Sequence, residues 1–129
     1  MKKNYIAAAA FILATVTHPG SSQVTQPEME LVRSVSLTAT NADDGRVVRR
    51  VTGATVGLIR VEWPAGTRTT PHNHANELVV FLVEGRLKAF SGAKEFTLEP
   101  GDSVVVPAYV EHSYEALEDS VTVEAAGPG

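Results

Sequence analysis

The chain has no cysteine among its 129 residues. That excludes disulfides, thiolate metal sites, cysteine nucleophiles and a lipid-modified N-terminal cysteine. Stability must come from a packed core, with a bound metal or a second subunit as further sources of support. A basic surplus is also missing: 11 Lys and Arg stand against 15 Asp and Glu, giving a formal charge of −4. Without a broad positive field there is nothing to hold phosphate backbones or anionic lipid, so nucleic acid is not an expected partner. The one basic cluster, Arg46, Arg49 and Arg50, lies beside Asp43 and Asp44 and reads as the solvated part of a hairpin or edge strand. Nucleophile elbow, phosphate loop and zinc-protease helix are all absent, and Ser113 next to His112 has no visible relay, which removes acyl and phosphoryl transfer. Nor does any segment beyond the N-terminus keep a helical period.

At the N-terminus, Lys2 and Lys3 precede the apolar run "IAAAAFILATV", which ends in the polar "THPGSSQ". This is the layout of a secretory signal peptide. The run covers 11 residues, Ile6 to Val16, well short of the roughly 20 needed for a helix to cross a bilayer. Removal is expected, with no stable membrane insertion. Small-residue pairs at Gly20 and Ser22 or at Thr15 and Thr17 mark the candidate cleavage points. Residues 1–22 are read as signal peptide and 23–129 as one domain, exported to the periplasm or secreted.

The rest of the chain is strand-like. The segments "VRSVSLTAT", "GRVVRRVTG", "VGLIRVEW", "ELVVFLVEG", "RLKAFSG", "KEFTLE", "DSVVVP" and "SVTVEA" are separated by turn residues at short intervals, the mark of an all-β sandwich or barrel. In "VGLIRVEW", Ile59, Val61 and Trp63 share one face and Leu58, Arg60 and Glu62 the other. Trp63 reads as core. In "ELVVFLVEG" both faces are apolar, which predicts a strand buried on two sides, either central or at a subunit interface. A homodimer is the corresponding expectation.

Because side chains on a strand repeat every two residues, His72 and His74 face the same way, within reach of one ion. A second segment, "PGDSVVVPAYVEHSYEAL", carries Gly101, Pro107 and His112 at regular intervals. Together the two segments resemble the paired motifs of the cupin superfamily. The first reads Gly66, five residues, His72, one residue, His74, then Gly85; the second reads Gly101, five residues, Pro107, four residues, His112. The resemblance, over residues 66–112, implies a small double-stranded β-helix, or jelly-roll barrel, with a divalent ion held on three histidines and a glutamate. It carries the histidine roles to His72, His74 and His112.

The carboxylate departs from that pattern. The family commonly places it seven residues before the closing glycine, where this chain has Leu78, and Glu77 is one residue early. On an unbroken strand Glu77 faces away from the histidines; a bulge between His74 and Glu77 would turn it inward. The candidate metal ligands are therefore His72, His74, His112 and Glu77. The alternative is a three-imidazole site completed by water, with Asn73 and Asn76 as nearby polar residues. Tyr109 and Ala116 also depart from the second motif, at positions that are not ligands. Tyr109 and Tyr114 flank His112 and could donate a hydrogen bond to a substrate, although aromatic strand residues are usually packing.

Two functions follow. In the first, a divalent transition metal ion (Fe, Mn, Ni, Cu or Zn) acts on a small oxygen-rich substrate, by chemistry akin to the family's dioxygenases or its sugar- and uronate-converting enzymes. In the second, the protein is a non-catalytic small-molecule-binding cupin with a degenerate metal site, as Leu78 would suit.

Overall fold

The computed structural model describes residues 27–127; the expected signal segment, residues 1–22, lies outside them. The chain divides into two units, Met1–Glu30 and Leu31–Gly129. In the first, residues 27–30 are exposed and without regular structure. In the second, a 3-10 turn at Ser34–Ser36 precedes nine strands among the described residues: β1 (Thr40–Asn41), β2 (Val47–Thr52), β3 (Gly57–Trp63), β4 (Leu78–Glu84), β5 (Leu87–Ser91), β6 (Lys94–Leu98), β7 (Ser103–Val106), β8 (Ser113–Ala116) and β9 (Ser120–Ala126).

Six strands form an antiparallel sheet in the order β1-β2-β3-β9-β4-β7, and three form a second sheet in the order β6-β5-β8. The late strand β9 is inserted between β3 and β4, a connection of the kind that jelly rolls use to cover sheet edges. The expected all-β jelly-roll barrel is the fold observed. Its core draws on both sheets: Val61 and Trp63 of β3 and Val80 and Leu82 of β4 pack with Leu87 and Ala89 of β5, Leu98 of β6, and Tyr114 and Ala116 of β8. Alternation sorts β3 as the sequence indicates, with Val61 and Trp63 buried and Leu58 and Arg60 exposed.

Strand β4 is buried on one side by the described residues. It is central, between β9 and β7, and Leu78, Val80 and Leu82 are buried, yet Val79, Phe81 and Val83 remain 37%, 41% and 44% exposed. Among the described residues nothing covers the outer face of the larger sheet. Across that face the strand registers set Val51, Leu58, Ala125, Val79 and Val105 in one row.

The end of β4 is fixed by backbone geometry. Gly85 has φ +89°, a region that costs other residues roughly 1–2 kcal/mol. A Cβ there would also meet the Ser120 hydroxyl and the Asp119 carbonyl. Ser120 cannot retreat cheaply, because its Oγ accepts from the Arg86 N–H at 3.0 Å and donates to the Glu118 carbonyl at 2.8 Å. Gly85→Ala should therefore cost about 3 kcal/mol, read as a lowered midpoint in urea unfolding; an unchanged midpoint would mean that the turn relaxes around the methyl group.

Candidate metal centre

The segment joining β3 to β4 lies antiparallel to the chain leading into β8. The Gly66 N–H donates to the Ala116 carbonyl at 2.7 Å, the Thr69 N–H to the Tyr114 carbonyl at 3.0 Å and the Tyr109 N–H to the His74 carbonyl at 2.8 Å. Within this run His72 and His112 exchange both backbone hydrogen bonds, at 3.0 and 2.9 Å. Residues directly opposed in this way project their side chains to the same side. Their rings stand 4.5 Å apart, and His74, two residues further on, brings its ring to 4.8 Å from His112. The donor nitrogens of all three lie within 4.8 Å of one another, close to the span of one ion's coordination shell.

Each ring is turned the same way chemically. Nδ1 of His72 bonds the Thr70 carbonyl at 2.8 Å, Nδ1 of His74 the Asn76 carbonyl at 3.0 Å, and Nδ1 of His112 the Val110 carbonyl at 2.9 Å. A carbonyl oxygen only accepts, so every Nδ1 carries the proton and every Nε2 keeps its lone pair. This is the orientation metal-bound histidines take from their outer partners. Nε2 of His112 is also buried without any hydrogen-bond partner, a condition that costs about 1–3 kcal/mol unless something fills it. Burial holds His112 below the ordinary imidazole range, and the charges of His72 and His74 push the same way, against the bond to Val110. These residues fit a divalent ion with borderline ligand preference, with coordination positions left open.

Of the four expected ligands, the structure brings the three histidines together and leaves Glu77 out. Glu77 is exposed, and the β4 register is regular from Leu78 to Leu82, its irregularity falling later, between Leu82 and Glu84. The inward residue is Leu78, buried and in the wall of the cavity beside the histidines; one position earlier, the side chain faces out. Asn73 is exposed. Asn76 lines the cavity and donates to the Gly127 carbonyl at 3.2 Å. Tyr109, standing where the family motif has glycine, adopts φ 63° and is 72% exposed, so it is not a wall residue. Tyr114 is one, packed edge-on between Trp63 and His112.

The cavity measures about 340 Å³, near the small end of the range for small-molecule sites. Trp63, read as core, also lines it, with its Nε1–H donating to Thr122 Oγ1 at 2.9 Å. Three further charged residues in its wall were not expected. Arg46 and Arg50, read as part of a solvated cluster, flank the cavity, whereas Arg49 faces out to Glu62 at 3.2 Å. Glu124 of β9 also faces in and accepts from Thr122 Oγ1 at 3.3 Å. The signal was present in and just before β2, where Arg46 and Arg50 share the phase of buried Val48. In β9 alternation gives no such signal, because Val121 and Thr122 are both buried.

The fold and site together define a small β-barrel protein with a cluster of three imidazoles able to hold a metal ion. Residues 59–125, just over half the chain, match the Cupin domain family, and the chain belongs to that family. Similar solved structures include KdgF from Halomonas sp., 22% identical with a TM-score of 0.72 over 79% of this chain and 96% of that one. An RmlC-like cupin from Shewanella frigidimarina is 16% identical, with a TM-score of 0.72 over 79% of this chain and 93% of that one. Salicylate 1,2-dioxygenase from Pseudoaminobacter salicylatoxidans, in adducts with gentisate, is 24% identical, with a TM-score of 0.63 over 69% of this chain and 26% of that one. At these identities the likeness is one of fold. No curated protein matches the chain significantly by sequence.

Burial raises the pKa of Glu124, opposed by the Thr122 hydrogen bond and by the charges of Arg46, Arg50 and His74. A carboxyl whose folded pKa lies above its unfolded value favours the protonated form, so the folded state loses stability as pH rises through that interval. In the chelator-treated protein Glu124→Gln should therefore raise the melting temperature at pH 8 and give no gain at pH 4. A gain independent of pH would show that the charge is not the cause.

Proposed function

We propose that the protein is an exported, single-domain metal-binding cupin that acts on a small oxygen-rich metabolite at an ion held by His72, His74 and His112. The observation that carries this reading is the common orientation of the three rings, each Nδ1 bonded to a carbonyl and Nε2 of His112 buried with no partner. A bound ion would supply Lewis acidity and a template for an oxygen ligand. Dioxygenase-like and sugar- or uronate-converting reactions are the two chemistries such a site suits; the similar solved structures include a salicylate dioxygenase. The second reading is a non-catalytic small-molecule-binding cupin, favoured by Leu78 in place of a charged ligand. Without a carboxylate, the first shell leaves the ion's charge uncompensated and binds it less tightly.

Export rests on the basic and apolar N-terminal run. Among the described residues no helix is long and apolar enough to cross a membrane. The untagged protein, expressed with its own N-terminus and recovered from the exported fraction, should carry about one transition metal ion per chain. Its intact mass should lack the first 22 residues or a segment close to that length. His72→Ala and His112→Ala should each abolish the metal, and wild type should release it on acidification, because imidazoles must be neutral to bind. A protein that neither retains nor rebinds metal would favour the non-catalytic reading; an uncut mass would overturn export.

A homodimer is the state that would cover the outer row of Val51, Leu58, Val79 and Val105 with Phe81 beside it, since monomers rarely leave such a patch in water. Sedimentation at micromolar concentration should give a dimer for wild type and a folded monomer for Phe81→Glu. A monomeric wild type would refute this.

A further inference from the structure

Beside the histidines, the cavity holds polar groups for which the metal site has no use. Tyr114 is 4% exposed, and its hydroxyl has no hydrogen-bond partner. The hydroxyl of Thr122, which receives the Trp63 N–H, spends its own proton on the Glu124 carboxylate. Glu124 and Tyr114 line the same cavity, but no hydrogen bond joins them. A buried phenol seeks an acceptor and a carboxylate seeks a donor. One group that serves both at once is a hydroxyl.

The charges narrow the class further. Arg46 is committed to Asp44 at 2.8 Å and lies over the Trp63 ring at 4.9 Å. Arg50 takes part in no ion pair among the described residues, and it sits in the same cross-sheet row as Glu124, with Ile59 between them. With an ion on the histidines, the positive charge of the ion and Arg50 exceeds the negative charge of Glu124, and such a cavity attracts anions.

We propose that Tyr114 and Glu124 seat a hydroxyl group, and Arg50 the carboxylate, of a small hydroxy acid lying in the cavity beside the histidines. The proposal rests on the reading of this cavity as the ligand site of a metal-binding cupin, and it names the substrate class of that site. The ligand hydroxyl accepts from the Tyr114 O–H and donates to Glu124, so Tyr114 gains its partner and Glu124 a donor beyond Thr122 only when the ligand is present. That gives selectivity against acids without a hydroxyl, because such a ligand displaces water and leaves the Tyr114 hydroxyl unpaired.

The test uses D-gluconate as probe and hexanoate as its counterpart without hydroxyls, titrated into the full protein while the fluorescence of its single tryptophan, Trp63, is followed. Metal content is measured on each sample. Gluconate should bind at least tenfold more tightly than hexanoate. Tyr114→Phe, which keeps the ring against Trp63 and His112, should weaken gluconate about tenfold and leave hexanoate within about twofold. Arg50→Gln, at an exposed position, should weaken both acids alike, by roughly tenfold. The proposal is overturned if gluconate fails to bind up to about 10 mM or binds no better than hexanoate. It is likewise overturned if Tyr114→Phe has no effect at unchanged melting temperature and metal content. Metal-free wild type would instead count against the histidine site, and the Tyr114→Phe comparison on that same sample would still decide this proposal.

Discussion

Everything at the site depends on the paired backbone hydrogen bonds between His72 and His112. They join two segments about 40 residues apart in the chain, and they do so with the one geometry that sets opposed side chains side by side. The register around them is held by Gly66 against Ala116, Thr69 against Tyr114 and His74 against Tyr109. Slipping this pairing by one residue would turn His112 to the other side of its strand, while His72 and His74 stayed in place. The metal site is therefore a consequence of strand register more than of local sequence, and the flanking turns matter because they fix that register.

The local bonds then do a separate job. Each imidazole is tied through Nδ1 to a carbonyl two residues away, so ring orientation comes from the immediate backbone and not from distant side chains. Distant pairing sets which residues meet; nearby carbonyls set which nitrogen they present.

The fold and the histidines could be read from the sequence because both depend on periodicity and spacing. Alternation placed Ile59, Val61 and Trp63 correctly, and the intervals around His72, His74 and His112 carried the ligand set. The same alternation showed that Glu77, one residue out of phase with Leu78, would face away unless the strand bulged, and the strand does not bulge there. What alternation could not show is that part of the barrel interior is a polar cavity. Polarity normally marks a solvent face, so Arg46 and Arg50 read as surface. For β4, apolar residues on both faces imply burial on both faces, and the described residues supply the cover for one of them.

A domain with no disulfide and about a hundred described residues has little surplus stability, yet this one keeps an unpartnered phenol, an unpartnered imidazole nitrogen and a desolvated carboxylate in its interior. Each polar atom is unfavourable in the empty protein, and none is needed to close the barrel, since the hydrophobic cluster from Val48 to Ala116, the Tyr114 ring included, does that. Groups that break a local rule without helping the fold mark the places where something else is bound. An ion on the histidines and a ligand between Tyr114 and Glu124 would satisfy them, and binding only to the folded state adds stability by mass action. Loading and stability are thus the same equilibrium seen from two sides, and the polar interior is a cost to the empty barrel that its ligands remove.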